Sequence, residues 1–112
     1  MSESIRQQKF NRLVQRDLSE IFMQNGRSIY GNVMVSVTVV RISPDLGFAK
    51  IYLSVFPSEK AQEVLLAIKS KSSLIRGQLG KRMGKQARVV PELAFFVDDS
   101  LDYAENIDRL LQ

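Results

Sequence analysis

The sequence predicts an α+β fold, a three-stranded mixed sheet with helices on one face. Three observations carry that expectation. Apolar residues recur at three- and four-residue steps over residues 4–24 and again over 57–83, which is the helical period. Between them the period drops to two, over 33–42 and 48–56, around a turn-forming Ser43-Pro44-Asp45-Leu46-Gly47. A last strand-like stretch, 88–97, follows the second helical region. At 112 residues the chain is too short for two well-buried cores, so residues 1–112 are read as one domain.

The first helix spans 4–24, with Phe10, Val14, Leu18, Ile21 and Phe22 on its inner face. Arg6, Lys9, Arg12 and Arg16 form a basic stripe on the other side, and Asn25-Gly26 is expected to close the helix. In the first strand Val33, Val35, Val37 and Val39 alternate with Met34, Ser36 and Thr38, and Val40-Arg41-Ile42 continues it. In the turn, Pro44 fixes φ and Gly47 is expected to supply positive φ. The second strand places Ala49, Ile51, Leu53 and Val55 on one face and Phe48, Lys50, Tyr52 and Ser54 on the other, completing an antiparallel hairpin.

Pro57-Ser58-Glu59 opens the next helix with Ser58 as the expected N-cap, and Val64, Leu65 and Ile68 form its buried side. Lys69-Ser70-Lys71-Ser72-Ser73 interrupts it with residues that prefer caps and turns. The apolar spacing then resumes with Leu74, Ile75, Leu79 and Met83, giving helix, kink, helix, with Gly84 as the stop. The third strand, Arg88 to Val97, contains Pro91, which cannot donate to a ladder and therefore suits an edge. Val89, Leu93, Phe95 and Val97 share one of its faces. Asp98-Asp99-Ser100 caps a short terminal helix carrying Tyr103, Ile107, Leu110 and Leu111.

The chain has no cysteine and no histidine. That removes disulfides, thiol nucleophiles, Cys/His zinc sites and imidazole bases, and makes binding the default class over catalysis. No apolar run is long enough to cross a membrane, and MSESIRQQKF lacks the apolar core of a signal peptide, so a cytoplasmic protein is expected. Charge is distributed unevenly. Residues 1–91 hold 15 Lys and Arg against 6 Asp and Glu, a net +9, whereas 92–112 hold 6 acids against Arg109, a net −5. A basic body suggests a polyanionic partner. The alternative is a protein-interaction module that docks the same basic face on an acidic protein.

The order helix, strand, strand, helix–kink–helix, strand, helix has the type II KH topology. Several segments carry a more specific likeness: the basic first helix, VSVTVVRISPDLGFAKIYLSVF at 35–56, LIRGQLGKRM at 74–83, and VPELAFFVDDSLDYAENIDRLL at 90–111. On these residues the sequence resembles the ribosome-binding factor A family over essentially its whole length. The resemblance implies a KH-type protein without catalytic activity or cofactor. It would bind the free small ribosomal subunit (30S, not 70S) and its 16S rRNA near the 5′-terminal helix region, as a monomer. It would assist late assembly and rRNA processing and serve cold adaptation. The family's usual Ala-x-Gly at the interhelical kink is replaced here by Lys71-Ser72-Ser73, and the link Gly84-Lys85-Gln86-Ala87 is slightly longer than usual.

The candidate RNA-binding residues are Lys69, Lys71, Ser72, Ser73, Arg76, Lys81, Arg82, Lys85 and Arg88, with Arg6, Lys9, Arg12 and Arg16 as a second contact. Lys and Arg would neutralise phosphates, and backbone N–H groups at the kink would donate to phosphate oxygens. Gly77-Gln78-Leu79-Gly80 is a literal Gly-x-x-Gly, yet too little chain follows it for the full helix such a loop precedes. Its glycines are read as packing residues. Asp98, Asp99 and Asp102 could suggest a metal cluster, but capping and solvation explain them better.

Overall fold

In the computed structural model, which describes residues 4–84 and 90–98, seven elements follow in order. They are α1 (Ile5–Tyr30), β1 (Met34–Ile42), β2 (Phe48–Phe56), a 3-10 turn (Ser58–Lys60), α2 (Ala61–Ser70), α3 (Ser72–Met83) and β3 (Glu92–Val97). The sheet order is β1-β2-β3, with β1 antiparallel to β2 and β2 parallel to β3. The mixed sheet and the edge position of the third strand are as expected. The expected terminal helix, including its caps at Asp99 and Ser100, lies outside the described residues.

One apolar cluster joins the helices to one face of the sheet. Val14, Leu18, Ile21 and Phe22 of α1, Val64 and Ile68 of α2, and Ile75, Leu79 and Met83 of α3 meet Val40, Ile51, Leu53 and Phe95. Helix α1 also guards the free edge of β1. Gln7, Asn11 and Gln15 recur at four-residue steps and therefore share a face. Gln7 Nε2 donates to the Ile42 carbonyl, the Ile42 N–H donates to Asn11 Oδ1, and Gln15 Nε2 donates to the Val37 carbonyl. An unpaired strand edge invites pairing with another chain, and these amides occupy it.

Several expectations are corrected. Helix α1 does not stop at Asn25-Gly26 but continues to Tyr30, and Gly31, at φ +87°, is the residue that ends it. Gly26 is buried within the helix because the Tyr30 side chain folds back over it and donates from Oη to the Phe22 carbonyl. The first strand contains a bulge between Val37 and Val39. One extra residue shifts the alternation, so Val40 and Ile42 point inward where a strict period from Val33 would have placed Val39. In the hairpin turn, positive φ falls on Leu46 (61°), not on Gly47. Asp45 secures that turn: its Oδ1 accepts from Ser43 Oγ (2.6 Å) and from the Gly47 N–H (3.0 Å).

Ser58 is not an N-cap. It starts the 3-10 turn, and α2 begins at Ala61 without a side-chain cap. Leu74 is 53% exposed, while Ile75, Leu79 and Met83 alone form the buried row of α3. Leu74 precedes Ile75 by one residue, a rotation of about 100° that turns it to solvent. Pro91 lies before β3, fully buried, so it takes no place in the ladder at all. The N–H groups of Glu92 and Asp98 instead frame the strand, donating to the Gly47 and Leu53 carbonyls.

Candidate nucleic-acid interface

The predicted kink is present and is one residue wide. Lys71, at φ −108° and ψ 15°, ends α2 and precedes α3. Its N–H donates to the Ile68 carbonyl, a tightened last turn, and its carbonyl accepts from Ile75. Ser72 and Ser73 do not make the kink by bonding their own backbone: no side chain caps α3, and it is Ser70 Oγ that donates back, to the Ala67 carbonyl. The first N–H groups of α3 are thus left without a side-chain acceptor. Such groups, together with the helix dipole, favour an anion. Ser72, Ser73 and Arg76 line a cleft of about 200 Å³ with Glu92 and Leu93 of β3.

The basic residues of this region fall into two sets. Lys69, Lys71 and Lys81 are exposed and have no ion-pair partner among the described residues. The arginines are committed to the fold. Arg76 donates from Nε to the Pro91 carbonyl (3.1 Å) and from Nη2 to the Val90 carbonyl (2.7 Å), tying α3 to the approach to β3. Arg82 pairs with Glu20 and donates to Gln24 Oε1, bracing α3 against α1. Lys85 and Arg88 lie outside the described residues.

Helix α3 runs antiparallel to α1, since Gln78 meets Asn25 while Arg82 meets Glu20. The basic half of α1 therefore lies toward the C-terminal end of α3. Arg6, Lys9 and Arg12 are exposed there without acidic partners among the described residues. Arg16 differs, with its Nε 3.2 Å from Oδ1 of the buried Asp17. The other oxygen of Asp17, Oδ2, is buried with no hydrogen-bond partner among the described residues. Sequence reading missed this acid because it sits among apolar residues at helical spacing.

Gly77-Gln78-Leu79-Gly80 is helix throughout. Gly80 is a packing residue: a Cβ there would lie 3.0 Å from Val90 Cγ2. Gly77 is not, because its surroundings are open. Gly84, at φ +36°, is the stop, and its N–H donates to the Gly80 carbonyl. No helix is long and apolar enough to cross a membrane, and no group of acids could hold a metal, among the described residues.

The family model described as ribosome-binding factor A matches residues 6–111. A ribosome-binding factor A of Cytophaga hutchinsonii is 45% identical over 97% of this chain and 82% of its own. That of Flavobacterium psychrophilum is 48% identical over 97% of this chain and 85% of its own. Among solved structures, the crystal structure of ribosome-binding factor A from Thermus thermophilus superposes with a TM-score of 0.68 at 21% identity, covering 81% of this chain and 94% of that one. A homology model of the Thermus thermophilus factor, fitted into a cryo-EM map of a 30S complex, gives 0.62 at 22% identity, over 80% and 91%.

Proposed function

The chain belongs to the ribosome-binding factor A family, and from that footing we propose that it is a non-catalytic maturation factor of the small ribosomal subunit. In this reading residues 1–112 form one KH-like domain that acts as a cytoplasmic monomer. It binds free 30S subunits through 16S rRNA near the 5′-terminal helix region, assists late assembly and rRNA processing, and supports growth in the cold. The fitted 30S complex of the Thermus thermophilus factor supports the choice of partner.

The observation that carries the reading is the uncapped start of α3 at a basic kink, with Lys69 and Lys71 beside it and Lys81 nearly three turns on. Backbone N–H groups and unpaired ammonium groups together suit phosphate oxygens. Arg76 and Arg82 hold this surface in place and present their remaining N–H groups. Ser72 and Ser73 line the cleft, and Lys85 and Arg88 extend the basic run. Arg6, Lys9, Arg12 and Arg16 supply a second phosphate contact from α1.

The test is sedimentation of lysate through a gradient with the protein followed in free small subunits and joined ribosomes. Enrichment in free subunits is expected; equal presence in both would sink the maturation reading. Replacing Lys69, Lys71 and Lys81 with Gln should weaken subunit binding and flatten its dependence on salt.

A further inference from the structure

Among the described residues nothing covers the sheet face turned away from the helices, and that face mixes aromatic rings with charges. Arg41 of β1 stands directly opposite Lys50 of β2, both exposed. Neither has an ion-pair partner among the described residues. Like charges facing one another across an antiparallel pair weaken the sheet, so the fold itself gains nothing from them. Two residues along β2 from Lys50, Tyr52 lies beside Phe96 of β3, their ring centroids 5.4 Å apart and their planes within 27°. Two residues the other way is Phe48, which like Phe96 is 40% exposed. Side chains two apart on a strand share a face, so β2 presents ring, cation, ring in line, with Arg41 and Phe96 flanking and the exposed Glu92 of β3 beside Phe48.

We propose that this open face is a second RNA contact, separate from the α2–α3 surface. A single-stranded segment lies across the sheet, its bases stacked on Phe48, Tyr52 and Phe96 and its phosphates held by Arg41 and Lys50. Rings alternating with cations match a polymer that alternates bases with phosphates. Stacking on aromatic side chains is how single strands are held without regard to sequence. Duplex RNA hides its base faces and would use only the cations. The inference takes from the proposed function only that the polymer is RNA.

The experiment uses the full chain and three probes: a single-stranded RNA decamer, the same decamer as a duplex, and an abasic strand of equal length. The parent chain should prefer the single-stranded decamer to both others, and photocrosslinks should fall on Phe48, Tyr52 or Phe96. The double variant Phe48→Leu/Phe96→Leu keeps apolar residues on the strands and should bind the decamer about five- to a hundredfold more weakly, with the abasic strand unaffected. Arg41→Gln with Lys50→Gln should weaken all three probes and flatten the salt dependence by about 0.7 per lost phosphate contact. Crosslinks confined to residues 69–83 of the parent chain would overturn the proposal without requiring any variant to fold. So would ring variants that bind the decamer as the parent does, which would hand the face to a protein segment. Loss of subunit binding on changing Lys69, Lys71 and Lys81 bears on the proposed function alone, so the two readings fail separately.

Discussion

The two faces of the sheet use similar residues to opposite ends. On the covered face, Phe95 is 2% exposed and packs at a tilt against Phe22; on the open face, its neighbour Phe96 is 40% exposed and stacks on Tyr52. Charge divides within the helical side itself: Arg82 is neutralised by Glu20 and Arg76 is spent on two carbonyls, whereas Lys69, Lys71 and Lys81, like the opposed Arg41 and Lys50 on the open side, have no ion-pair partner among the described residues. The difference teaches that side-chain type alone does not mark a binding residue. A ring or a cation is available to a partner only where the fold has not already used it.

The sharpest way to break this contrast is to truncate both faces. Leu79→Ala, which empties a fully buried site on α3, should cost about 2–5 kcal/mol in urea unfolding. Phe96→Leu should stay within about 1.5 kcal/mol, the worth of the ring pair it loses. Similar losses would mean that the open face is part of the core. Next in size is Arg76→Gln, which removes both bonds to the approach to β3. A loss of about 1–3 kcal/mol is expected, with faster amide exchange along β3, while Lys81→Gln should leave stability within about 0.5 kcal/mol.

Two substitutions should stabilise. Gly77→Ala enters open space on a helix at a residue without positive φ, and should add about 0.4–1 kcal/mol, read as a higher midpoint. Arg41→Glu replaces a like-charge pair with an opposite pair across from Lys50, and should add about 0.2–1 kcal/mol. If it also weakens binding of single-stranded RNA, the strain on that face serves a ligand. The smallest effect belongs to Asp45. Bonds from Ser43 Oγ and then the Gly47 N–H hold its carboxyl below the usual carboxylate range. Its contribution is therefore complete above the ordinary carboxylate value it has in the unfolded chain and is lost as pH falls through the lower folded value. In Asp45→Asn that part of the acid-induced decline in melting temperature should be missing.

Much of the fold was legible because it is encoded locally. Period two over 48–56, the turn at 43–47, the break at Lys71 and the stop at Gly84 each depend on residues a few positions apart. The basic run at 69–82 was legible too. What could not be read was which of its cations were already engaged. Arg76 and Arg82 look like Lys69 and Lys81 in sequence, and only partners 14 to 62 positions away separate them.

The sequence by itself determined the order of the described helices and strands, the buried side of β2 and the sign of the charge on each segment, since period and turn chemistry act within a few residues. Tertiary structure alone decided the rest. Tyr30 folding back on Gly26 carries α1 past its apparent end, the bulge at Thr38 turns Val40 and Ile42 inward, and Asp17 is buried among apolar neighbours. It also placed a ring pair and an opposed cation pair together on the open face. These outcomes depend on groups that are distant in the chain and adjacent only once the core has formed.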